Sequence, residues 1–234
     1  MTIRPLDRRM LTGLSRPFEP GRACAFAIAC FALFAVSVLL MPAITDGYDP
    51  VRQTISEGVL APYGYIQTGG LFLLALGSFA LSASMCRRCA DRRQYGTAAL
   101  LASSAGFVVL LAIFPVDYGN HARSLAGRMH NFGAVSAFIA ITAAMVWSSL
   151  PWRRRLAWHQ ALTIAVLAAM LAFAVCLTFD IGPRGLVQRL SAAVQLAWLG
   201  LLALQLRSLR TGAAAEAAAA PTPEASRGGT SGST

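Results

Sequence analysis

The chain has 234 residues, of which 56% are hydrophobic and 13% charged. A soluble domain has to cover itself with more polar surface than that, so composition selects a membrane protein. The net charge of +10 would serve nucleic acid on a soluble surface, but the arginine positions follow a membrane topology instead, and no nucleic-acid partner is expected.

Residues 1–22 are polar and basic, with Arg4, Arg8, Arg9, Arg16 and Arg22. They read as a cytoplasmic segment beside the anionic inner leaflet. Six apolar stretches follow, at 23–41, 66–85, 97–114, 129–150, 159–179 and 187–206. Each approaches the roughly 20 residues that cross a bilayer core of about 30 Å, and none has Asp, Glu or Arg in its middle third. The first stretch has a basic flank like a signal peptide, but its apolar run is long and begins late, so it reads as a retained span. Fifteen of the twenty arginines fall on the N-terminal segment, the second and fourth connections and the C-terminal segment. The positive-inside rule then places both termini in the cytoplasm. The expected fold is all-α: a polytopic transmembrane bundle of six spans, N-in and C-in, over residues 23–206. A multi-pass protein of the bacterial cytoplasmic (inner) membrane is the expected localisation. Residues 207–234 are rich in Ala, Gly, Ser, Thr and Pro and read as a disordered cytoplasmic tail, although the alanines of 213–220 can prolong the sixth helix.

The informative residues lie in the connections expected outside. In the first, Asp49-Pro50 is a helix-start signal, with Asp as N-cap and Pro in the first turn. A short amphipathic helix is expected there, with Asp49, Gln53 and Glu57 on one face and Arg52 and Ser56 on another. It either lies in the interface or forms part of a site. In the second, Pro115 ends the third span, so Asp117 emerges at the interface. His121, Arg123 and Arg128 follow, and His130-Asn131 open the fourth span, a depth at which an ionisable residue is a functional candidate. The third brings Asp180 and Arg184, then Gln188 and Arg189 at the start of the sixth span. Gln188, Ser191 and Gln195 recur on one helical face, which should turn toward other helices, with Gln67 as a candidate partner.

These positions define an expected polar cluster of Asp49, Arg52, Ser56, Glu57, Asp117, His121, His130, Asp180, Gln188 and Arg189. Three uses are open to it. Asp117 or Asp180 can pair with Arg128 or Arg189 and tie helix ends together. The cluster can bind a headgroup, solute or partner. Or His121, His130 and Asp117 can hold zinc, which takes His and carboxylate ligands, although a nine-residue spacing between the histidines is no established metal signature. Elsewhere, His159 beside Trp158 reads as a snorkelling interface residue. Cys86 and Cys89 form a lone C-x-x-C on the cytoplasmic side, and Gly69, Gly70, Gly77, Ser78 and Ser82, with Ser103, Ser104 and Gly106, read as small residues for helix packing.

The stretch from Tyr48 to Glu57, Phe114-Pro115-Val116-Asp117 followed by His130-Asn131, and Gly185 to Arg189 together resemble the six-helix membrane proteins grouped as domain of unknown function 998. That resemblance implies the fold and the membrane, and draws attention to the same outer residues; it implies no activity. A looser similarity is to the integral-membrane hydrolases that include alkaline ceramidases and adiponectin-type receptors, built on Ser, Asp and three His around zinc. Here two histidines face outward and the last span has no H-x-x-x-H pair. The functional expectation is a noncatalytic membrane protein that binds, transports or senses a lipid or solute. The enzyme alternative is a metal-dependent hydrolase of a lipid ester or amide. Membrane lipids are the expected partners, with a further membrane protein or a second copy as additional ones.

Overall fold

Backbone N–H and C=O groups in hydrocarbon must be satisfied within the segment that carries them, and each apolar stretch does this as an α-helix. The computed structural model describes residues 20–87, 92–117, 124–150, 157–179 and 182–219. The helices are α1 (Pro20–Ile44), α2 (Gly64–Cys86), α3 (Arg92–Ile113), α4 (Leu125–Ser149), α5 (Ala157–Phe179) and α6 (Arg184–Ala219), with a 3-10 turn at Ser56–Leu60 between α1 and α2. All six α-helices are long and apolar enough to cross a membrane, and the described residues contain no strand. Each helix begins two to five residues before its hydropathy span. The first N–H groups of a helix need no helical partner, so polar residues such as Arg92 or Arg184 are tolerated there. Helix α6 continues to Ala219, into the segment read from sequence as tail, where alanine has the highest helix propensity. Residues 1–19 and 220–234 lie outside the described residues.

Neighbours in sequence pack as neighbours in space, and α6 closes the bundle against α1; the seam between α4 and α5 is much looser than the others between consecutive helices. The main core draws on all six helices, including Phe31, Leu81, Leu101, Met145, Val166 and Trp198. Nearer the connection between α1 and α2, Phe34, Leu71, Val108, Leu111 and Ala137 form a second cluster. Leu39, Tyr65 and Leu171 are at least two-thirds exposed, and large apolar side chains point outward from every helix. Soluble monomers do not carry so much exposed apolar surface; lipid covers it here.

Because lipid tails are as apolar as leucine, small residues and hydrogen bonds hold such helices together. Ser82 donates to Ala98 O at 2.7 Å between α2 and α3, Ser104 donates to Ala137 O at 3.1 Å between α3 and α4, and Ser149 shares a 2.8 Å bond with Thr163 between α4 and α5. Of the small residues expected to pack, Gly70 lies against Ser37 and Gly77 against Phe31, whereas Gly69 and Gly106 face open space. His159 does not snorkel. It is 5% exposed, stacked on Trp158 with ring centroids 4.0 Å apart, and its Nδ1 accepts the indole N–H of Trp198 at 3.3 Å. Trp198 reaches across from α6, and that donor gives the imidazole a partner inside the bundle. Cys86 is exposed, and Cys89 lies outside the described residues.

Candidate functional site

The connection between α1 and α2 begins as the Asp49-Pro50 signal requires. Asp49 Oδ1 accepts the N–H groups of Val51 at 2.8 Å and Arg52 at 3.4 Å, and Gln53 N–H closes the turn on Asp49 O at 2.8 Å. The turn is not extended into the expected amphipathic helix. Glu57 Oε2 accepts both the N–H of Thr54 (2.6 Å) and its hydroxyl (3.0 Å), and such local side-chain bonds compete with helical ones. The chain re-forms as the 3-10 turn Ser56–Leu60. As a result Arg52 and Ser56 do not share a face: Arg52 is exposed beside Asp49, 3.7 Å away, while Ser56 turns inward and lines a cavity.

Arg189 clamps this connection onto α6. Its Nη1 donates to Pro50 O and Gln53 O, both at 2.7 Å, and to Gly185 O at 3.1 Å; its Nη2 donates to the Tyr48 hydroxyl at 2.6 Å. The guanidinium also lies over the Tyr48 ring, 5.5 Å from its centroid. The Tyr48 hydroxyl in turn donates to Thr54 O at 2.8 Å. Leu186 N–H donates to Val51 O at 3.0 Å, Ile55 N–H to Gln188 Oε1 at 2.7 Å, and Arg184 pairs with the buried Glu57 at 3.4 Å. Gly185 is required at this contact, because a Cβ there would collide with Gln53 O and Pro50 O. Asp49, Arg52, Glu57 and Arg189 thus form one structural dock.

The dock has a pH signature. Burial raises the Tyr48 phenol above its ordinary value of 10.0, against the opposing pull of Arg189. A raised folded-state pKa means stability that is whole below about pH 10 and is lost as pH climbs toward the folded value. Thermal unfolding followed from pH 9 to 11 is therefore expected to show a fall that Tyr48→Phe reduces; equal slopes for the two proteins would refute this.

A second group forms at the start of α4. Ser124 is the N-cap, its hydroxyl accepting Gly127 N–H at 2.9 Å, and it donates to Asp117 through its N–H (2.8 Å) and hydroxyl (2.7 Å). Arg189 is taken by the dock, so the Asp117–Arg189 pairing considered from sequence does not form. His130, 2% exposed, places Nδ1 2.8 Å from Phe114 O, while its buried Nε2 has no hydrogen-bond partner. His121 and Asp180 lie outside the described residues. Among the described residues no three of His, Cys, Asp and Glu come close enough to hold a metal ion.

His130 opens instead onto a groove of about 350 Å³ along the loose α4–α5 seam. Its polar rim is Thr54, Ser56, His130, Asn131 and Gln188; below them it is walled by Phe138 and Ile139 of α4 and Met170 and Phe173 of α5. Phe138 and Phe173 meet across the seam with ring centroids 6.1 Å apart. Ile139 and Met170 also border a further, almost wholly apolar recess that reaches Trp147. From His130 to Trp147 the helix rises about 25 Å at 1.5 Å per residue, most of the thickness of a hydrocarbon core. Behind the groove, an internal cavity of about 80 Å³ shares Ser56, Ala134, Phe138 and Gln188 with it, enough room for two or three waters. Gln195 lines that cavity, and its Nε2 and that of Gln67 are both buried without partners, so the expected Gln67 pairing is not made. The polar face of α6 is nonetheless turned inward, with Gln188, Ser191 and Gln195 all buried.

A family model described as a protein of unknown function, DUF998, matches residues 28–205. The chain belongs to the DUF998 family. No curated protein and no solved structure matches it. The family match spans α1 to the transmembrane part of α6, and therefore both the dock and the groove. In this DUF998 protein the expected single cluster is divided, among the described residues, into three groups: the dock, the Asp117–Ser124 cap and the groove rim. Sequence reasoning gave no functional place to Tyr48, Thr54 or Arg184 in the dock, or to Phe138, Met170 and Phe173 in the groove. The Thr54-x-x-Glu57 spacing is a capping-box signal that could have located the turn; the groove aromatics, set among many apolar residues, carry no local signal.

Proposed function

We propose that this protein is a noncatalytic, lipid-binding component of the bacterial inner membrane, inserted with both termini on the cytoplasmic side, that holds one membrane amphiphile in the α4–α5 groove. The observation that carries the reading is the groove itself. Its lining includes the exposed, lipid-facing side chains Val135, Ile139 and Ala174, its walls are apolar for most of its length, and its hydrogen-bonding groups gather at Thr54, Ser56, His130, Asn131 and Gln188. That division matches an amphiphile with its chains in the seam and its head at Ser56, His130, Asn131 and Gln188. The arginine distribution supports the orientation, in which the polar rim would lie at the extracytoplasmic face. The hydrolase reading has less support: of the trio considered for zinc, Asp117 already accepts two hydrogen bonds from Ser124, and among the described residues no three of His, Cys, Asp and Glu come together.

Protein purified in mild detergent and analysed by native mass spectrometry is expected to carry stoichiometric lipid. Ala174→Trp fills the groove from its exposed α5 wall, so it should reduce bound lipid about tenfold, a loss of about 1.4 kcal/mol, with little change in thermal stability. A lipid-free wild type, or a Trp variant that retains its lipid, would overturn the reading.

A further inference from the structure

Resting on the lipid-binding reading, we infer that the groove selects an uncharged lipid whose head carries a free hydroxyl, of the diacylglycerol class, with the hydroxyl donating to His130 Nε2 and accepting from the Gln188 amide nitrogen.

The assignment starts from two side chains whose orientations are fixed by the backbone. The carbonyl of Phe114 can only accept, so in the neutral ring Nδ1 carries the proton of the 2.8 Å bond. Nε2 is then an acceptor, buried, without a partner, on a residue that lines the groove. Gln188 is constrained in the opposite sense. Its Oε1 receives the Ile55 N–H at 2.7 Å, which leaves the NH2 half of the amide to donate, and Gln188 lines both the groove and the cavity behind it. An acceptor and a donor at one rim suit a hydroxyl, which both gives and receives a hydrogen bond. Ser56 and Asn131, on the same rim, can act in either sense toward an ester carbonyl.

Charge narrows the class further. Among the described residues lining the groove there is no Arg, Asp or Glu. The two arginines nearest in sequence to Gln188 are engaged elsewhere, Arg189 with the carbonyls of Pro50 and Gln53 and Arg184 with Glu57. Arg128, a turn before Asn131 on α4, is exposed and does not line the groove, so a phosphate entering the rim would lose water with no counter-charge among the described lining residues, and an ammonium would do the same; a neutral head avoids both penalties.

The test uses the full chain in lipid nanodiscs and three ligands with identical chains: dioleoylglycerol, its 3-acetyl ester and dioleoylphosphatidic acid. The ester keeps chains, neutrality and acceptors but removes the hydroxyl proton, so Nε2 stays unpaired. Diacylglycerol is expected to bind about tenfold more tightly than the ester, the worth of one buried hydrogen bond, and more tightly still than the phosphatidic acid. In His130→Leu the preference over the ester should disappear. The comparison on the wild-type protein stands alone if that variant folds poorly. Equal binding of all three, or a preference for the phosphatidic acid, would overturn the headgroup inference while leaving a lipid in the groove. If none of the three binds and the wild type carries no lipid, the lipid-binding reading falls with it.

Discussion

Arg189→Ala is expected to destabilise the protein by about 3 kcal/mol, because one guanidinium donates to three backbone carbonyls and the Tyr48 hydroxyl, and each hydrogen bond to a charged group is worth roughly 1.5–3 kcal/mol. Those contributions do not add fully, since water can reach the half-buried dock and replace some of them. The loss is localised. Pro50 O and Gln53 O are left without their donor, so the connection between α1 and α2 should open while the helices stay packed. Arg189→Lys should recover only part of the loss, since a single ammonium cannot reproduce a planar fork whose two terminal nitrogens reach Pro50 O, Gln53 O and Tyr48 together. Thermal unfolding at fixed detergent concentration measures the first effect, and hydrogen exchange of residues 45–63 the second. A lysine variant as stable and as protected as wild type would show that charge alone holds the connection.

The second large effect is at Trp198, the largest fully buried side chain among the described residues. Trp198→Ala is expected to cost about 3 kcal/mol, at the lower end for a buried aromatic. In a bilayer the removed ring gains little from hydrophobic transfer, so the cost is the cavity and the lost contacts rather than the transfer term. To this is added His159, buried on α5 and deprived of the indole N–H at its Nδ1. Trp198→Phe separates the two, since it refills most of the space without restoring the donor. Unfolding midpoints ranked wild type, Phe, Ala are the expected order; a Phe variant no better than Ala would assign the whole effect to the His159 bond.

What was legible in the sequence was whatever a single element decides. Six spans follow from length and hydropathy, and the inward face of Gln188, Ser191 and Gln195 follows from helical spacing and the penalty for an amide in lipid. The stop at Pro115 followed from the ring's missing N–H. What was not legible depends on which element meets which. Arg189 and Asp117 both lay at helix ends on the same side, and nothing in spacing says that one takes backbone carbonyls and the other a serine cap. His159 was misread because its partner, Trp198, is 39 positions away. The groove was invisible for a different reason: it is a looseness between α4 and α5, and Phe138, Met170 and Phe173 look in sequence like any other packed residues.

Gln188 serves two parts of the protein at once. One half of its amide holds Ile55, in the connection between α1 and α2, and the other half belongs to the groove rim. Any substitution there changes two things together, so a variant that alters ligand preference will also release the surface connection, and a screen scored on either property will confuse them. Asn131, on α4 and outside that connection, is the rim position at which specificity can be tuned without that entanglement.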